Sequence, residues 1–161
     1  MLQYREATAE DLPGICLLGE EVNSMHHRAS PDLFAAEISP ERNREVWRDS
    51  LGQAAATTLV AAVGSFLVGF VTVSIVEESS PLFRAMRYAK VGSVGVTEAY
   101  QGQGIGRTLM KLVEEWAQRR GAIEVHLNVW AFNERAQRLY EELGYAVRSH
   151  YMGKRLPGGV A

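Results

Sequence analysis

The chain has 161 residues, 47% of them hydrophobic and 22% charged, with a formal net charge of −2. That size and balance describe a single globular domain over residues 1–161, with none of the basic excess of a nucleic-acid binder or a membrane-surface protein. The one cysteine, Cys16, excludes an intrachain disulfide and points to a reducing, cytoplasmic setting.

The opening "MLQYREATAED" carries charge from the start and lacks the apolar core of a signal segment. Residues 2–7 alternate as a strand does. Thr8 with Asp11 then resembles a capping box, with Asp where Glu is usual. It opens a helix whose Ile15, Leu18, Val22 and Met25 share one face. A loop, "HHRASPDLF", leads to a second helix that starts near Pro40 and runs through "ERNREVWRDSL". The stretch "TTLVAAVGSFLVGFVTVSIV" is as long as a membrane span. Gly64 and Ser65 interrupt it at a turn-like point, however, and its β-branched content reads as two buried strands, 57–63 and 66–77. The second of these is apolar on both faces, so it belongs at the centre of a sheet.

Residues 79–88 read as a loop and 89–97 as the next strand. From Ile105 to Arg120, Leu109, Leu112, Val113 and Trp116 keep helical spacing, and Gly121 stands where a C-terminal cap glycine belongs. "AIEVHLNVW" is a further strand. Residues 133–143 form a short helix, with Ala136, Leu139, Tyr140 and Leu143 on one side and Gly144 at its end. "YAVRSHYMGKRL" supplies a last extended segment. The order β-α-α-β-β-β-α-β-α-β, without repeats or low-complexity tracts, predicts an α/β layered domain on a mixed sheet.

The junction "VGSVGVTEAYQGQGIGRTLM" carries the chemistry. A strand running through glycines into a helix aims free backbone N–H groups at one point, where the helix dipole adds positive potential. That geometry suits a phosphate or pyrophosphate, and glycine keeps side chains out of the anion's way. The dinucleotide fingerprint G-x-G-x-x-G does not fit: counted from Gly102 its last position is Arg107, and from Gly104 it is Leu109. That argues against a nicotinamide oxidoreductase. The P-loop fails as well, since no Gly-Lys follows.

What fits is Q/R-x-x-G-x-G/A, as Gln101-Gly102-Gln103-Gly104-Ile105-Gly106. This resembles the pyrophosphate-binding motif of the GNAT acetyltransferase superfamily. Downstream, "NVWAFNERAQRLYEELGY" is similar to that superfamily's second coenzyme A motif, and "YMGKRL" to its closing strand. The resemblance covers nearly the whole chain. It implies a single-domain GNAT fold, with six or seven strands flanked by about four helices and splayed at the cofactor site.

By that resemblance, amides from Gln101 to Thr108 cradle the pyrophosphate of acetyl-CoA; the side chains of Arg107 and Thr108 either touch phosphate or are solvated. Val96 lies beside the pantetheine arm. The N–H of Val94 lies near the thioester carbonyl, where it would stabilise an oxyanion. Tyr140 is either the group that protonates the leaving thiolate or a core tyrosine. Asn133 caps its helix and touches the arm. No metal is implied. The implied acceptor is a primary amine of a small molecule or a peptide, with protein N-terminal or lysine acetylation as an alternative, because Gln101 in place of the commoner Arg resembles N-terminal acetyltransferases. A non-catalytic CoA-binding module is the alternative of another class. Many relatives dimerise, so a homodimer is expected.

The strand positions where relatives often carry a base are Lys90 and Gly92, and neither is suited to that task. Glu77, Glu78, His26, His27, His126 or a water chain remain as candidates. Residues 22–34 should line the acceptor pocket, with Met25 and Phe34 as core. Trp130 and Phe132 either shape the acceptor tunnel or pack in a core or dimer contact.

Overall fold

In the computed structural model, which describes residues 1–158, the alternating N-terminal segment is β1, Leu2–Glu6. A short 3-10 turn at Ala9–Asp11 follows, closed as expected: the Thr8 N–H donates to the Asp11 carboxylate at 2.7 Å. Helix α1 spans Leu12–Ala29 and α2 Pro40–Arg48, where the Ser39 hydroxyl caps the Arg42 N–H. The apolar span folds as β2, Ala56–Val63, and β3, Phe66–Glu78, turning at Gly64, whose φ is +60°. Then come β4, Met86–Val96; α3, Ile105–Arg119; β5, Glu124–His126; and α4, Glu134–Glu142.

The strands stand in the order β1-β2-β3-β4-β5. The first three pairings are antiparallel and the last is parallel. As its two-sided hydrophobicity demanded, β3 is central. One face of the sheet packs under α3, where Leu109, Met110, Val113 and Trp116 are fully buried against Val71, Val73, Ala89 and Val91. The other packs under α1, where Ile15 and Leu18 meet Val60 and Phe70. Each buried Leu, Ile, Val, Met or Phe side chain contributes about 1.5–3 kcal/mol, so β3 and β4 form a floor covered on both faces.

Five strands form among the described residues, not six or seven. Within "AIEVHLNVW" only Glu124–His126 pairs with β4. Residues 146–156 have no ladder partner among the described residues. Side chains tether them instead, the Arg148 guanidinium on Glu124 at 2.6 and 3.1 Å and Arg155 near Asp32 at 3.6 Å. Val147, Tyr151 and Met152 are turned to solvent, so apolar burial does not set a register there. The loop expected at 79–88 is shorter, because β3 runs to Glu78 and β4 begins at Met86.

Candidate functional site

The site grows from the short reach of β5. It pairs with β4 only from Tyr88 to Lys90, after which the two strands part. Beyond that point β4 keeps its partner on the other side: Val94 stands opposite Val71 and Val96 opposite Gly69. The Thr97 N–H bonds the Val68 carbonyl at 3.0 Å, on the β3 side. By antiparallel alternation, Val96 and Val94 aim their N–H and C=O groups the other way, into the opened seam. Two residues of β4, Gly92 and Ser93, stand against Thr72 alone, which makes a bulge. The Thr72 hydroxyl accepts the Ser93 N–H at 2.9 Å and pins it. A Cβ on Gly92 would lie 2.7 Å from that same hydroxyl oxygen, so this position carries no side chain for a steric reason.

The glycine loop closes the end of the seam. Gly102 and Gly104 have φ of +78° and +81°, and Gly104 is the N-cap of α3. Thr108 is the first residue to bond back, its N–H reaching the Gly104 carbonyl at 3.0 Å. Among the described residues, the amides from Gly102 to Arg107 meet no acceptor of the protein's own. A Cβ built on Gly104 meets nothing within 4 Å, so the space over the loop is open. The Gln101 side chain turns inward, donating to the Val96 carbonyl at 2.9 Å and accepting from Arg135 at 2.5 Å. Gln103 reaches the Ala99 carbonyl at 3.4 Å. The Thr108 hydroxyl is used on the Gly104 carbonyl at 3.2 Å, and Arg107 pairs with Glu142. Arg107, Arg135 and Arg138 border a shallow groove beside the loop.

The remaining wall comes from α1, α4 and the segment after β5. A cavity in the seam is lined by Val22 and His26 of α1, Val94 of β4, Trp130 and Asn133 of the segment after β5, and Tyr140 of α4. The Asn133 side chain accepts the Ala136 N–H at 3.2 Å, as an N-cap does. Tyr140 is 8% exposed and packs edge-on to Tyr145 at 5.9 Å. Its hydroxyl has no hydrogen-bond partner among the described residues, and burial raises its pKa, so the phenol is protonated at neutral pH. Tyr140 is thus buried with the core cluster and also lines the cavity.

The five candidate bases fall apart in space. Glu77 is paired with Arg87, and Glu78 accepts the Ser80 N–H at 2.8 Å. The His27 Nδ1 sits 2.8 Å from the Phe34 carbonyl. The His126 Nε2 lies 2.7 Å from Glu124, and its ring stacks on Tyr88 at 4.1 Å. His26 alone among them lines the seam cavity. Its ring stacks on Phe34 at 4.9 Å and meets the edge of Phe132 at 5.6 Å, while Trp130 packs on Phe34 at 4.9 Å. Phe34, expected in the core, is thus part of an aromatic cluster at the mouth of the seam. Two contributors escaped the sequence reading, the Thr72 clamp and the Arg135 brace. The pair of glycines inside β4, Gly92 and Gly95, was the available signal for the first. Among the described residues, no group of three or more His, Cys, Asp or Glu is gathered as a metal site.

A model of the acetyltransferase (GNAT) family matches residues 22–145. The N-alpha-acetyltransferase RimI of Mycobacterium tuberculosis is 36% identical over 85 residues, 53% of this chain and 49% of that protein. The chain spans under half the length of the curated relatives it matches. The BH1408 protein of Bacillus halodurans superposes with a TM-score of 0.88 at 22% identity, over 96% of this chain and 99% of that one. An aminoglycoside N-acetyltransferase, AAC(6')-Iy, solved in complex with CoA, superposes with a TM-score of 0.75 at 14% identity, over 98% and 95%. At these identities, the two structures establish a shared fold.

Proposed function

This chain belongs to the acetyltransferase (GNAT) family, and on that premise we propose that it moves the acetyl group of acetyl-CoA to a primary amine of a small molecule or peptide, both substrates being bound together. The observation that carries this reading is the row of free amides from Gly102 to Arg107 at the end of a seam into which Val94 and Val96 direct their backbone groups. A diphosphate suits those amides, because the start of α3 offers both unpaired donors and a positive dipole end. Arg135 adds positive charge beside them, whereas Arg107 and Arg138 are paired with Glu142 and Glu134. Similar proteins are named for N-alpha groups and for aminoglycosides, both of which present amines.

Acetyl-CoA supplies an activated thioester; the residues of the seam supply the rest. The Val94 N–H donates to the carbonyl oxygen as negative charge develops there, and one such donor is worth about 2.7–4 kcal/mol. Tyr140, kept neutral by burial, gives its proton to the departing sulfur. Holding amine and thioester in line between α1 and β4 removes much of the entropic barrier. Gln101 and Arg135 brace the loop, and the Thr72 clamp holds the bulge that aims the Val94 N–H.

The test is acetyl-CoA with a panel of primary amines, reading thiol release. Release that depends on an amine supports the proposal. Tight CoA binding without release for any amine would make the chain a CoA-binding module instead.

A further inference from the structure

We infer that His26 is the general base of this reaction and that it serves a monoamine carried on an uncharged body; the inference rests on the acetyltransferase reading above. A primary amine is protonated near neutral pH and cannot attack until it loses that proton. On β4 the Gly92 position holds no group to take it, because Thr72 fills the space a side chain would need. Glu77, Glu78, His27 and His126 are engaged elsewhere and do not line the seam cavity. Val22 and His26 lie one turn apart on α1 and share the face that meets β4; Val22 approaches so closely that a Cβ on Gly95 would stand 2.7 Å from its Cγ2. His26 is thereby brought to the same cavity as Val94 and Tyr140.

The surroundings of His26 favour its neutral form. Phe34 stacks on it from the loop after α1, Phe132 meets it from the segment after β5, and burial lowers its pKa from the ordinary value of 6.5. Among the described residues lining the cavity, Tyr140 is the only other titratable side chain. No carboxylate waits there for a second cation, which disfavours polyamines and aminoglycosides, while Trp130, 39% exposed at the mouth, offers a flat apolar wall.

The step balances. The ammonium gives one proton to the His26 imidazole. The freed lone pair forms the C–N bond at the thioester carbon, and collapse of the intermediate breaks the C–S bond. The sulfur takes the Tyr140 proton, the nitrogen returns a proton to the Tyr140 oxygen, and His26 releases its own to solvent.

The experiment compares wild type with His26→Gln, using 2-phenylethylamine, spermidine, kanamycin and a peptide with a free N-terminus as acceptors, with calorimetric CoA binding measured alongside. Wild type should turn over 2-phenylethylamine fastest, with an acid limb in kcat/KM whose midpoint lies below the ordinary histidine value. His26→Gln should retain CoA affinity and lose on the order of 10²-fold in turnover near neutral pH, its limb moving up toward the pKa of the amine. Three results overturn the inference: an unchanged limb in His26→Gln, faster turnover of spermidine, kanamycin or the peptide, or CoA binding without release from 2-phenylethylamine. Loss of CoA binding by the wild type would instead remove the acetyltransferase reading beneath it.

Discussion

Replacing Tyr140 by Phe separates catalysis from packing, because the hydroxyl to be removed has no hydrogen-bond partner among the described residues. A bonded buried hydroxyl is usually worth about 0.5–1.5 kcal/mol of stability; here that contribution is missing, while the ring and its contact with Tyr145 stay in place. The melting temperature of Tyr140→Phe should therefore stay within about 2 °C of wild type, since 1 kcal/mol corresponds to about 2–4 °C in a chain of this size. Turnover should behave differently. A positioned proton donor contributes about 10²–10⁴-fold, and 10²-fold is about 2.7 kcal/mol of barrier. Thiol release measured under saturating acetyl-CoA should fall by at least that amount, with CoA affinity from calorimetry unchanged. Turnover within about threefold of wild type, far below what a proton-transfer group contributes, would reduce Tyr140 to a packing residue.

Three further substitutions probe other parts of the account. Gly104→Trp should abolish CoA binding while the protein still folds. Its Cβ would point into the open space over the loop, and the left-handed backbone adds about 1–2 kcal/mol of strain; calorimetry showing unaltered CoA affinity would contradict the role given to the loop. Gly19→Ala should lower the melting temperature without changing CoA affinity of the folded protein, because the new Cβ would stand 2.5 Å from Cζ2 of Trp47, and overpacking costs about 1–3 kcal/mol; an unchanged or raised melting point would show that α1 and α2 separate freely. Arg5 holds the Asp11 carboxyl down to about 2. A depressed carboxylate stabilises the fold above its unfolded pKa of about 3.9 and loses that contribution as pH falls through the folded value. Asp11→Asn should accordingly show a shallower loss of stability between pH 4 and pH 2 in denaturant titrations, and an identical acid limb would remove Asp11 from the explanation.

Local pattern made most of the fold legible. The 3.6-residue spacing of Leu109, Leu112, Val113 and Trp116 was enough for α3, and Gly64 with its neighbours was enough for the β2–β3 hairpin, because both are decided by contacts near in sequence. The glycine loop was legible too, since free amides at a helix start follow from backbone chemistry alone. What could not be read was set by distant neighbours. The Thr72 hydroxyl meets Ser93 across 21 positions, and the Gln101 side chain is turned from the loop by Arg135, 34 positions on. His26 was one histidine among several until α1 was laid against β4. The tail at 146–156 has strand-like sequence, yet with its apolar side chains in solvent nothing local compels it to pair.

A 1H–15N NMR titration of the protein with CoA reads, residue by residue, where coenzyme A touches the backbone. The largest amide shifts should fall at Gly102 to Arg107, with Val94 and Val96 next as the arm enters between β4 and β5. Saturable binding that leaves those amides unmoved and shifts another surface would contradict the claim.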